Sequence, residues 1–143
     1  MKIDNRKARF DYFIEDTYTA GIVLTGTEIK SIRRGNASLV DTFCTVTSGE
    51  LWINNSYIAK FEYGSYNNHE ERRLRKLLLT RQEINKIHKK VQQKGYTVVP
   101  LKMFINSNGL CKVEIGVCVG KKEYDKRETI KERDLTREIQ RYK

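Results

Sequence analysis

What this chain lacks narrows its chemistry before any pattern is read. Its 143 residues include one proline, two histidines and three cysteines, and 18 acidic residues against 28 lysines and arginines. Cys44, Cys111 and Cys118 are odd in number and follow no framework spacing, which argues for reduced thiols in the cytoplasm rather than a disulfide scaffold. There is no CxxC pair and no HExxH, so no zinc or other metal is expected. Cys111 and Cys118 stand seven apart on one expected strand and so face opposite ways. His69 falls in a loop, and His88 falls on the apolar face of an expected helix, where a packed histidine is the ordinary outcome. GxSxG, GxGxxG and Walker sequences are missing too, which removes the nucleophile elbow and the phosphate-cradling loops. Asp11, Glu15, Asp16, Glu70 and Glu71 have no apolar surroundings to raise a pKa for general acid work. No cofactor is expected, and a binder suits the composition better than an enzyme. The opening residues, MKID, carry no apolar run of the signal-peptide kind, and no stretch nears the ~18 apolar residues of a membrane span.

What is present is positive charge. The formal net charge is +10 and the sequence pI is about 9.6. A surplus of that size in a small domain makes a polyanion the default partner, nucleic acid first and an anionic membrane second, and binding to it should weaken steeply with salt. The bland alternative is a merely soluble basic protein. Eight tyrosines, five phenylalanines and one tryptophan, with clear periodic segments, exclude a wholly disordered chain.

Along the chain, the first residues are polar and read as a loose arm, with a basic cluster at Asn5-Arg6-Lys7-Ala8-Arg9. Residues 10–24 suit a strand, with Gly21 marking a bend or bulge. Thr25-Gly26-Thr27-Glu28 has capping-box spacing, and Ile29 and Ile32 follow on one face, so 26–34 reads as a short helix with a basic outer side, ended by Gly35. Residues 38–47 and 50–53 read as a hairpin about Ser48-Gly49, and 57–61 as a further short strand. In Arg72-Arg73-Leu74-Arg75-Lys76-Leu77-Leu78-Leu79 the leucines are expected to anchor the segment while the cations line its edge. Thr80-Arg81-Gln82-Glu83 repeats the capping box and opens a helix over about 81–94. Residues 96–105 and 110–119 alternate about the turn Asn106-Ser107-Asn108-Gly109, with Pro100 at an edge, a bulge or a strand start. Hairpins rather than β-α-β units argue for an antiparallel sheet, and a small closed barrel hides its edges most economically. Tyr12, Phe13, Tyr18, Trp52, Tyr57 and Phe61 can line a base-stacking face or fill the core. Beyond Gly120 the chain is mostly charge, with one narrow apolar stripe at Leu135, Ile139 and Tyr142. The division is therefore a body over 1–120 and a tail over 121–143 that is disordered alone and helical on a partner.

Three blocks in this order and spacing carry a resemblance: NRKARFDYFIEDTYTAGIVLTGTEIKSIR at 5–33, RKLLL at 75–79 and GKKEYDKRETIKERD at 120–134. From Asn5 to about Arg141 the chain resembles the SsrA-binding proteins, the partners of transfer-messenger RNA. The resemblance implies a mainly β fold: a small antiparallel OB-type barrel with two to three flanking helices and a flexible basic tail. It implies no enzymatic activity, a cytoplasmic monomer, and no membrane partner. The body would bind the tRNA-like domain of transfer-messenger RNA through Asn5, Arg6, Lys7, Ala8, Glu28, Lys30, Arg33, Asn36, Arg75, Lys76, Leu77, Leu78, Lys121 and Lys122. The tail would enter the vacant decoding centre and message channel of the small ribosomal subunit, against its rRNA, through Tyr124, Asp125, Lys126, Arg127, Ile130, Lys131 and Arg133. Alanyl-tRNA synthetase and the tRNA-carrying elongation factor are implied as indirect partners. Phe10 and Thr19 depart from the family pattern, where a histidine and an acidic residue are usual. A general basic OB-type RNA-binding module of translation or ribosome assembly is the alternative.

Overall fold

The computed structural model describes residues 2–64 and 68–121. Chain order is β1 (Lys2–Asp4), α1 (Arg6–Asp11), β2 (Tyr12–Ile22), α2 (Gly26–Arg33), β3 (Ala37–Ser38), β4 (Phe43–Thr47), β5 (Glu50–Asn54), β6 (Tyr57–Ile58), β7 (Arg75–Leu78), α3 (Arg81–Val91), β8 (Tyr96–Ile105) and β9 (Cys111–Gly120). Strands β8, β4, β5, β7, β2 and β9 pair in that order, and β9 pairs back to β8, so the sheet closes into an antiparallel barrel. β1 pairs with β8 over Lys102–Phe104, further along the strand than the β4 pairing at Val98, and β3 with β6 makes a separate short ladder.

Local chemistry explains most of these elements. The β4–β5 hairpin turns on Ser48 and Gly49, both at positive φ (52° and 75°), the two-residue geometry that matches strand twist. At the β8–β9 turn, Asn106 Oδ1 accepts from the N–H groups of Asn108 and Leu110, and Gly109 takes φ 79°. Pro100 sits where the β8–β9 register slips, so its missing N–H leaves no gap in the ladder. Both expected capping boxes are formed, by Thr25 with Glu28 and by Thr80 with Glu83.

The main core holds Ile32, Leu51, Ile53, Leu77, Ile87, Val98, Val113, Ile115 and their neighbours. A second, smaller core under α1 joins Ala8, Val99, Leu101 and Cys118. Cys111 belongs to the first core and Cys118 to the second, as strand alternation requires of positions seven apart.

Several expectations are corrected. The strand expected from Phe10 begins at Tyr12, and the preceding basic cluster is helix α1. The opening arm is not loose: β1 pairs with β8, and the Asn5 backbone N–H donates to Leu101 O at 2.9 Å. The bulge in β2 lies between Ile14 and Asp16 rather than at Gly21, which instead pairs with both Lys112 and Leu78 where β2 passes from β9 to β7. In β7 Arg75 and Leu77 point inward while Leu74 and Leu78 are half exposed, because the segment is a strand and sides alternate. The strand expected over 57–61 stops at Ile58, and α3 stops at Val91. His88 is exposed beside Gln92 rather than packed.

Candidate nucleic-acid interface

Helix α2 displays Lys30 and Arg33, and a buried ion cluster holds it in place. The Glu28 backbone N–H donates to Thr25 Oγ1 at 3.4 Å, and Glu28 Oε1 accepts from the Thr25 N–H at 2.8 Å. The same carboxylate, fully buried, accepts from Arg73 Nη2 at 2.7 Å, Arg73 Nε at 3.3 Å and Arg75 Nε. The remaining donors of Arg75 reach Ser56 O at 2.9 Å, Ser56 Oγ at 3.0 Å, Arg73 O at 3.1 Å, Glu71 O at 3.2 Å and Glu70 O at 3.4 Å. Burial alone would raise the Glu28 pKa, but hydrogen bonds from Arg73, the Thr25 backbone and Arg75 hold it down to about 2. Burial pulls Arg75 below its ordinary value, and Glu28 opposes that pull. A second tie comes from His69, which contacts Thr27 Oγ1 through Nδ1 and Ile58 O through Nε2, each at 2.9 Å. Since a carbonyl only accepts, Nε2 carries the proton and Nδ1 accepts from the threonine.

With its inner side pinned, α2 presents Lys30 and Arg33 outward, followed by exposed Arg34 and Asn36. Helix α1 packs on β8 and β2, whereas α2 packs on β6, and α1 exposes Arg6, Lys7 and Arg9. Lys7 lies 3.6 Å from Asp41, and Arg9 lies 3.7 Å from Glu114. Where the barrel ends, Lys121 Nζ stands 5.3 Å from the centroid of Phe10 and 5.4 Å from that of Phe13. Phe10 is among the most exposed apolar side chains described, and this cation–π contact holds it beside the charge. On the outer face of β7, Lys76 pairs with Glu50 at 3.5 Å, and half-exposed Leu78 borders Gly21.

These positions sort the expected RNA-facing set into buried and accessible side chains. The side chains of Asn5, Ala8, Glu28, Arg75 and Leu77 are buried and face inward. Asn5 Nδ2 donates to Leu39 O at 3.1 Å and Pro100 O at 2.9 Å while its Oδ1 caps α1, so it positions the basic helix from below. Ala8 and Leu77 fill the two cores. Arg6, Lys7, Lys30, Arg33, Asn36, Lys76, Leu78 and Lys121 remain accessible, in separate patches on α1 with the barrel end, on α2, and on β7. Lys122, Tyr124, Asp125, Lys126, Arg127, Ile130, Lys131 and Arg133 lie outside the described residues. Arg34 is expected on the basic side of the helix but not in the RNA-facing set, and Lys112 and Tyr63 stand outside that set too; the alternation of charge and aromatic rings in Lys60-Phe61-Glu62-Tyr63 is the sequence signal for the last.

The three cysteines are free and buried, and burial pushes the Cys111 thiol up to about 11, Cys118 to about 12 and Cys44 further still. Among the described residues, no group of three His, Cys, Asp or Glu side chains is placed to hold a metal ion. No helix among them is long and apolar enough to cross a membrane.

A closed antiparallel barrel with cationic helices on its outside defines the class: an OB-type binding module. A family model described as "SmpB protein" matches residues 2–143. The chain is 60% identical over 141 residues to an SsrA-binding protein of Parabacteroides distasonis, covering 99% of this chain and 92% of that one. It is 57% identical to an SsrA-binding protein of Bacteroides thetaiotaomicron, again over 141 residues, covering 99% and 94%. A solved structure described as "tmRNA-SmpB: a journey to the center of the bacterial ribosome" matches with a TM-score of 0.72 at 48% identity, over 84% of each chain. The chain belongs to the SmpB family.

Proposed function

We propose that this protein binds the tRNA-like domain of transfer-messenger RNA and brings it to stalled bacterial ribosomes for trans-translation, acting in the cytoplasm as an adaptor without catalysis. The family match along residues 2–143 carries this reading, and the cations displayed on α1 and α2 supply its chemistry. In it, Arg6, Lys7, Lys30, Arg33, Lys76 and Lys121 meet phosphates, with Asn36 and Leu78 at the borders. Glu28, Arg75 and Asn5 support them from inside. The body ends at about Gly120, Lys122 joins Lys121 on the RNA, and the segment that follows, through Tyr124, Asp125, Lys126, Arg127, Ile130, Lys131 and Arg133, probes the empty decoding centre and message channel of the small subunit. Such a segment orders only where no message occupies the channel, which separates stalled from working ribosomes.

Truncation after Lys122 tests both halves. The shortened protein should keep its affinity for a tRNA-like RNA and support no tagging on stalled ribosomes. Loss of RNA binding on truncation would refute the two-part reading. Equal affinity of the full chain for the tRNA-like RNA and for an unrelated duplex would favour a general RNA-binding module instead.

A further inference from the structure

Beside the α2 cations stands an aromatic array of Phe61 and Tyr63, with Arg34 and Lys30 against its rings. Phe61 and Tyr63 meet edge to face, with centroids 5.7 Å apart and planes at 70°. The Arg34 guanidinium lies 5.0 Å from the Phe61 centroid and 5.2 Å from the Tyr63 centroid, and Lys30 Nζ lies 5.4 Å from Phe61. Phe61 is partly buried, whereas Tyr63 is 73% exposed, so a ring already covered in part by a guanidinium still offers most of its surface to solvent.

We propose that Tyr63, backed by Arg34, is a stacking platform for one unpaired base of the bound RNA. This rests on the RNA-binding reading above and adds to it a contact that depends on a base rather than on phosphates. The guanidinium draws ring electron density towards itself, which lowers repulsion between the ring's open surface and the π cloud of a base. Lys30 and Arg33 place positive charge where the flanking phosphates would run. Arg34 also lies 3.9 Å from Glu62, so part of its charge is already met and the unmet surface is the ring. A base inside a continuous duplex is already stacked on its neighbours. The platform therefore selects a loop or bulge nucleotide.

The test is fluorescence anisotropy with the full-length chain, using a hairpin RNA with an unpaired elbow-like loop and a continuous duplex of equal length. Tyr63→Ala should weaken binding to the looped RNA by about tenfold, leave duplex binding and the salt slope unchanged, and leave the far-ultraviolet circular dichroism spectrum intact. Tyr63→Phe should bind like the parent, because stacking needs the ring and not the hydroxyl, while Tyr63→Leu should fall with alanine. Lys30→Ala should instead lower the salt slope by about one. Unchanged affinity in Tyr63→Ala, or equal loss on both RNAs, would overturn the platform and leave the RNA-binding reading standing. Unchanged RNA affinity with lost activity on stalled ribosomes would assign the ring to a protein or ribosomal partner and would equally overturn it. Failure of the parent chain to bind the looped RNA at all would remove the RNA-binding reading itself.

Discussion

Glu28 and Arg75 are charged residues with no exposed surface, and their value to the protein is positional. Removing one partner leaves the other buried and unpaired, so Glu28→Ala should cost about 3–5 kcal/mol in urea denaturation. Replacing both Glu28 and Arg75 by methionine should recover part of that loss, because the unpaired charge disappears with its partner. The pH dependence follows from the direction of the shift. The folded-state pKa of Glu28 is about 2, against an ordinary value of 4.5. Its contribution is therefore complete above about pH 4.5 and is lost as pH falls towards 2, on the order of 3 kcal/mol in all. Glu28→Gln should flatten that segment of the stability-versus-pH curve, measured by urea midpoints between pH 2 and 6.

Among the elements, α1, like β1 before it, is one whose type the sequence concealed. Six residues are too few to form a stable helix by propensity, and Phe10, Tyr12 and Phe13 invite a strand assignment. Tertiary contacts decide the matter: Asn5 reaches carbonyls 34 and 95 positions away, and Ala8 enters the core under the helix. Asn5→Ala removes the cap and leaves two carbonyls without their donor, so it should destabilise by about 2–3 kcal/mol in urea denaturation. Asn5→Asp should also destabilise, since its carboxylate can cap α1 but cannot donate to Leu39 O and Pro100 O. A loss of RNA affinity with unchanged stability would place Asn5 on the RNA instead. Strand β7 teaches the complementary lesson. Its Arg-Arg-Leu-Arg-Lys-Leu-Leu run suggested leucines in and cations out, yet the two-residue period and the carboxylate at Glu28 put Arg75 inside and Leu78 outside.

At the scale of the whole molecule, closure of β9 onto β8 removes the sheet edges and leaves the outer helices to carry the charge. The surplus of +10 should make RNA affinity fall steeply with ionic strength. Lys30→Ala combined with Arg33→Ala should reduce the slope of log K against log salt by about two. An unchanged slope would take the α2 display out of the interface. Glu15, at the β2 bulge, accepts from Tyr96 Oη at 2.6 Å and pairs with Lys90 at 3.0 Å, so α3 and β8 are tied to the strand that runs between the two basic helices.

The sequence by itself determined the barrel's hairpins, both capping boxes and the family, because each is written in local spacing or in contiguous motifs. Only the tertiary structure decided which charges face solvent. Glu28 and Arg75 lie 47 residues apart and became an internal pair only when β7 was laid beside α2, and the Arg34–Phe61–Tyr63 array likewise joins the end of a helix to a loop far along the chain. Local periodicity reports which side of an element is apolar. It does not report whether a polar side chain will find a partner inside, since that depends on a residue distant in sequence whose desolvation cost is offset only once both arrive.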